Sequence, residues 1–365
     1  MSAPERGTKH PFNMYTHVAA QPDALANAVA RNHAAIEGYA TQVAKLDRVY
    51  IVGIGTSYHA ALMGQYFVRA FGGGMQSQAI DSFDFIHYGP ELTDRDAVVI
   101  ISHTGGKSYS LESLERAKAS PALTALVTGE EGATRHDAVE HLFITTPPEG
   151  SATYTWSYTA ALGVLADLAG SIGNVRSGVE TLAANVLSSE LPDAMRAALG
   201  TQDQMKELAD RYAGRRRIWL AGSGPAGVTA LEVALKIKEA AYLMAEGFST
   251  EMMLHGPFQC VDPADLMILV APEGPGQART LDLAKETKEI GLDLIVVSDG
   301  SSREIDALTD EVVTVPRIAD PFSAISTLVP LHYFAYWLAI ACDTNPDRFR
   351  LDDERFARAY ALINL

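Results

Sequence analysis

The sequence predicts an α/β protein made of two tandem, doubly wound parallel-sheet domains. Three observations predict it. Short β-branched runs alternate with helical patterns along the chain, the rhythm of a parallel sheet covered by helices on both faces. The clearest of those runs end in glycine. The second half also repeats the first: Arg217-Ile-Trp-Leu-Ala-Gly-Ser-Gly224 echoes Arg48-Val-Tyr-Ile-Val-Gly-Ile-Gly55, each followed by a helical pattern. A repeat this long is a whole domain, because solenoid units are much shorter. The 365 residues suit two domains, which we expect at 1–195 and 196–365.

The elements follow in order. Leu25, Val29, Ile36, Ala40 and Val43 recur at helical spacing, which predicts a helix from near Pro22. The run from Arg48 to Gly55 is brief, apolar and β-branched, so it reads as a buried parallel strand. Thr56 and Ser57 then serve as N-caps for a helix over Tyr58–Phe71. Strands are expected at Ala97–Ser102, Ala122–Val127 and Leu142–Thr145, with a helix from Ser110 and a long apolar one from Tyr158 to Ile172. The polar stretch Val175–Gly200 reads as the connection. The second half gives strands after Arg217 and at Leu266–Ala271, Leu292–Ser298 and Glu311–Val315, and a helix at Ser323–Ala341. Residues 225–245 read as one helix. The longest apolar stretch, Leu328–Cys342, is interrupted by Pro330 and His332 and reads as a buried helix too short for a membrane span.

The net charge of −16 argues against nonspecific nucleic-acid binding, which needs a cationic footprint. A phosphorylated small molecule remains compatible, since backbone N–H groups and hydroxyls hold phosphate without net positive charge. The two cysteines, Cys260 and Cys342, form no disulfide framework. The opening Met1–Gly7 has no apolar core of a secretion signal. The expectation is a cytoplasmic protein.

Ligands of open α/β sheets bind beyond the carboxyl ends of the strands. There stands Ser102-His-Thr-Gly-Gly-Lys-Ser-Tyr-Ser110, rich in hydroxyls, with two glycines and Lys107, at the start of a helix. It fits an anion site and equally a capped Ser/Gly turn. It lacks Walker spacing. Gly222-Ser-Gly-Pro-Ala-Gly227 matches G-x-G-x-x-G, with Glu246 near the distance of a ribose-binding acid. The expected helix through 245 leaves no second strand for that reading. Glu232, Lys236 and Glu239 sit at i, i+4 and i+7, a spacing that serves a salt-bridged surface as readily as a site. His255 lies at a Gly-Pro turn. No metal-ligand cluster or cofactor motif beyond these is visible, and none is expected.

At these residues the chain resembles the SIS (sugar isomerase) domain family, in its tandem, flavodoxin-like form, over nearly its whole length. Gly55-Thr-Ser-Tyr-His59, Ser102-His-Thr-Gly105, Leu231-Glu-Val-Ala-Leu-Lys-Ile-Lys-Glu239 and His255-Gly-Pro257 carry the likeness, in order and at matching spacing. The resemblance implies a sugar-phosphate site of Gly55, Thr56, Ser57, Ser102, His103, Thr104 and Ala152, with Lys107 where the family usually has a threonine. It implies Glu239 as the base moving a proton between C1 and C2. His255 would open the sugar ring and come from the neighbouring subunit of a homodimer. Glu232 and Lys236 would support the site.

The chain also departs from the glutamine-dependent members. It has no cysteine before Cys260 and no lysine after Lys288, where those members place a glutaminase nucleophile and an imine-forming lysine. Trp156 stands in place of a family lysine. The expected function is therefore a phosphosugar isomerase or isomerising deaminase acting on an amino- or ketose-6-phosphate through an enediol or enediolamine, without glutamine hydrolysis. A fructosamine-phosphate deglycase and a non-catalytic sugar-phosphate binder are the alternatives.

Overall fold

The structure is a computed structural model that describes residues 8–363. The reading of Met1–Gly7 lies outside those residues. Ten strands form two all-parallel sheets. The first contains β1 (Arg48–Gly53), β2 (Gln76–Asp81), β3 (Asp96–Ile101), β4 (Leu123–Thr128) and β5 (His141–Ile144), in the order β2-β1-β3-β4-β5. The second contains β6 (Arg217–Gly222), β7 (Met244–Ser249), β8 (Leu266–Val270), β9 (Asp293–Ser298) and β10 (Val312–Thr314), in the order β10-β9-β8-β6-β7. Read from the other edge, that is the same 2-1-3-4-5 order, the flavodoxin-like arrangement. Both sheets change strand direction of travel beside their first strand, and this switch point is where the ligand crevice falls.

The central strands are the apolar runs, and they are buried on both faces, as parallel strands must be. The edge strands β2 and β7 are half exposed. The expected helix over 225–245 is corrected here. It ends at Ala241, because Tyr242 takes a left-handed conformation with φ 58°, and β7 then runs through Glu246. Glu246 lies 3.6 Å from Lys238, an ordinary surface ion pair.

The Gly-x-Gly turns are explained by packing. Gly55 and Gly224 take nearly identical conformations, φ 57°, ψ −126° and φ 58°, ψ −126°, which L side chains rarely adopt. A Cβ on Gly53 would lie 2.3 Å from the Ser57 carbonyl oxygen, and one on Gly227 2.9 Å from the Gly222 carbonyl oxygen. The glycines let each helix start press on its strand, with no dinucleotide needed.

One hydrophobic core runs through both domains, from Val99 and Leu165 to Leu220, Ile237 and Leu331. Helix Asn13–Val43 packs along helix Trp156–Ser177. The buried Asp347 carboxylate accepts the N–H groups of Asn13 (3.0 Å) and Met14 (3.1 Å), capping that helix from the far end of the chain. Among the described residues one helix, Ser323–Ala341, is long and apolar enough to cross a membrane, but 89% of it is buried inside the protein. Pro330 sits within it and does not end it, while Thr327 satisfies the Ser323 carbonyl through its hydroxyl.

Candidate active site

Helix Pro225–Ala241 brings Glu232, Lys236 and Glu239 to the interface with helix Thr56–Phe71. The polar stripe predicted from spacing faces the other domain, not solvent. Lys236 Nζ donates to Glu239 Oε2 at 2.5 Å and to Thr56 Oγ1 at 2.8 Å, and lies 3.4 Å from Glu232 Oε1. Glu232 Oε2 is 2.6 Å from His59 Nδ1. Glu232 and Lys236 are fully buried, whereas the Glu239 side chain stays 19% exposed. A substrate could therefore reach Glu239 alone of the three.

The electrostatics follow from this. Burial would raise the Glu232 carboxyl, but Lys236 and His59 outweigh it and hold it at about 2. Burial works against the Lys236 charge, yet Glu232 and Glu239 raise its pKa above the ordinary lysine value. Burial dominates at Glu239 and, against the pull of Lys236, raises its carboxyl above the usual range. The result is a fixed ammonium between one carboxyl held well below the ordinary range and one raised above it.

Across the crevice, Thr56, Ser57, His103, Tyr154 and Ser157 line a pocket at the carboxyl ends of β3 and β4. Gly55 is open beside it: a Cβ there would meet nothing within 4 Å. The Ser102 carbonyl accepts the Thr128 hydroxyl at 2.6 Å, and the Thr104 hydroxyl accepts the Gly106 N–H at 3.3 Å, so the loop is tied down from below and within. Lys107 is the N-cap position of helix Ser108–Lys118 and is exposed, with no ion pair among the described residues. Two features escaped the sequence. The Arg135 guanidinium crowds Gly106, where a Cβ would be 2.6 Å from Nη1, and His136 Nε2 lies 2.7 Å from the Gly105 carbonyl oxygen.

The His103 imidazole is buried against Tyr154, with Nδ1 unpartnered, and burial lowers its pKa. Its ring forms part of the pocket wall. Beneath it sits Glu149, which sequence reading missed. Its carboxylate accepts the Thr155 N–H at 2.6 Å and the Ser157 hydroxyl at 2.5 Å, and lies 3.5 Å from His17, whose ring stacks on Trp156 at 4.5 Å. Burial would raise Glu149, but His17, His103 and Ser157 hold it below the ordinary range. Its only advance signal was its place just after β5. The Ala152 N–H donates to the Asp347 carbonyl at 3.1 Å, so the C-terminal segment closes one side of the crevice.

His255 does not join this cluster within the chain. It is exposed at the end of helix Thr250–Leu254 and pairs with Glu251 at 3.0 Å.

Fold and site together define a tandem α/β protein in which a buried Glu–Lys–Glu cluster on one domain meets Thr56 beside a hydroxyl-rich loop of the other. The sequence profile of the SIS domain matches residues 42–169 and 211–342, and the chain belongs to the SIS domain family. It is 30% identical over 350 residues to a glutamine–fructose-6-phosphate aminotransferase [isomerizing] of Pyrococcus horikoshii, covering 95% of this chain and 57% of that protein. The chain thus spans little more than half the length of that relative. The C-terminal domain of a glucosamine-fructose-6-phosphate aminotransferase from Francisella tularensis superposes with a TM-score of 0.80 at 22% identity, covering 93% of this chain and 98% of the other. A tagatose-6-phosphate ketose/aldose isomerase from Escherichia coli gives 0.80 at 20% identity, with coverages of 95% and 97%. At such identities these two establish the fold.

Proposed function

We propose that this chain is a phosphosugar isomerase or isomerising deaminase that acts on an amino- or ketose-6-phosphate. The observation that carries the reading is Glu239: a carboxylate raised by burial, itself partly exposed, and bonded to the Lys236 ammonium that also reaches Thr56 at the edge of the pocket. The relatives described above, an isomerizing aminotransferase and a ketose/aldose isomerase, support the same chemistry.

The phosphate would rest on N–H groups at the start of helix Ser108–Lys118, on the hydroxyls of Thr56, Ser57, Ser102 and Thr104, and on Lys107. Glu239 takes the proton from the carbon next to the carbonyl. The C–H electron pair becomes a C=C bond, the carbonyl pair moves onto its oxygen as an enediolate, and the Lys236 ammonium offsets that charge. Glu239 then returns its proton to the former carbonyl carbon, while the proton of the neighbouring hydroxyl or amino group passes to the enediolate oxygen and the new C=O or C=N bond closes. Where that carbon pair bears an amino group, the product is an imine, and addition of water releases ammonia and leaves the ketose phosphate. His255 of a second copy would protonate the ring oxygen in a homodimer. Because Glu232 and Glu239 hold Lys236 charged, it supplies an electrostatic field and not an imine.

The test is turnover by the purified protein of glucosamine 6-phosphate, fructose 6-phosphate and a fructosamine phosphate, reading ammonia and the aldose/ketose ratio. The proposal expects turnover of one of the first two. Amine release from the fructosamine phosphate alone would make it a deglycase, and binding without turnover of any would make it a binder. A cytoplasmic location completes the proposal.

A further inference from the structure

We propose that a cavity on the first domain, remote from the crevice, is a second ligand site for a small hydroxylated organic cation such as a protonated amino sugar. The cavity, about 330 Å³, lies between helix Asn13–Val43, helix Trp156–Ser177 and the segment 180–187. That size is within the range of small-molecule pockets. Asp167 and Ser171 form its floor, and His33, Glu37, Asn174 and Glu180 its rim.

The charge of the site fixes the sign of the ligand. No lysine or arginine lines it. Both oxygens of Asp167 lie 3.0 Å from His33 Nδ1, and Glu37 lies 3.8 Å from His33 Nε2. Even with the imidazole protonated, one cation faces three carboxylates. Asp167 is only 7% exposed, so its charge is poorly screened.

A separate observation points to a ligand with hydroxyls. Ser171 is 7% exposed and lines the same cavity, and among the described residues none hydrogen-bonds its hydroxyl. That hydroxyl opens onto the cavity, where a ligand hydroxyl can pair with it. Among the described residues no group of three His, Cys, Asp or Glu could hold a metal ion. The cation that fits is one that brings its own hydrogen-bonding atoms: an ammonium for Asp167 and Glu37, and a hydroxyl for Ser171.

The experiment is calorimetric titration of the whole chain with glucosamine, with glucose as the neutral isostere. Saturable binding of glucosamine and none of glucose is expected. Asp167→Asn and Glu37→Gln should each weaken it by about tenfold, the loss of a charged hydrogen bond. Glu37 is on the surface, so its variant stays informative should Asp167→Asn fail to fold. Glu239→Gln should leave the affinity unchanged, which separates this site from the proposed active site. No saturable isotherm, equal binding of glucose, wild-type affinity in both cavity variants, or loss in Glu239→Gln would each overturn the proposal.

Discussion

The Lys236 ammonium bonds the Glu239 carboxylate at 2.5 Å, three residues along one helix, and reaches across the domain interface to the Thr56 hydroxyl at 2.8 Å. One side chain thereby ties Glu239 to the domain interface and to the edge of the pocket that Thr56 lines. As the proposed base, Glu239 needs its proton off to act, and its carboxyl is raised by burial. The rate should therefore climb with pH through a midpoint above the ordinary glutamate value of 4.5 and then level off. A kcat–pH profile measures this; an acid limb at or below 4.5 would contradict it.

Lys107 stands exposed at the start of helix Ser108–Lys118, and among the described residues no ion pair occupies it. Lys107→Ala should raise KM for a phosphosugar by about tenfold or more, the loss of one charged hydrogen bond, with a smaller effect on kcat. An unphosphorylated analogue should be unaffected. Inhibition constants for the paired sugars, with and without phosphate, decide it, and equal losses would remove Lys107 from the phosphate site.

His255 is exposed and pairs with Glu251, away from Lys236 and Glu239. If a second copy supplies it, His255→Asn and Glu239→Gln are each nearly inactive alone, yet mixed and reassembled chains regain part of the activity. Each mixed dimer then holds one intact site. Mixtures no more active than either variant would place His255 and Glu239 in separate tasks.

Glu232 is held at about 2 by Lys236 and His59 against an ordinary value of 4.5. A depressed carboxyl contributes stability above its unfolded value, and loses it as pH falls through its folded value. By linkage, Glu232 contributes roughly 3 kcal/mol at neutral pH, lost between pH 4.5 and about 2. Thermal melts of wild type and Glu232→Gln should differ most above pH 5 and converge toward pH 2. A constant gap would mean packing, and not charge, is what the substitution removes.

The central strands were legible because burial on both faces writes them as continuous apolar runs: β1, β3, β4, β6, β8 and β9 stand where such runs occur. β2 and β7 were not. Gln76-Ser-Gln-Ala-Ile-Asp81 and Met244-Ala-Glu-Gly-Phe-Ser249 are edge strands with mixed exposure, so no run marks them. In the site, the spacing of Glu232, Lys236 and Glu239 showed a shared face but could not show that the face meets Thr56 and His59 from the other domain. Glu149, His17 and Arg135 gain their places from tertiary packing, which no local pattern encodes.

The most direct measurement is solvent deuterium uptake. The protein is incubated in D2O with fructose 6-phosphate and with glucosamine 6-phosphate, and label at C1 and C2 is read by NMR. The account predicts incorporation by the wild-type protein and a fall of about 10²- to 10⁴-fold in Glu239→Gln, with the fold of the variant intact. Exchange at the wild-type rate in Glu239→Gln, or none in the wild type with either sugar, would contradict it.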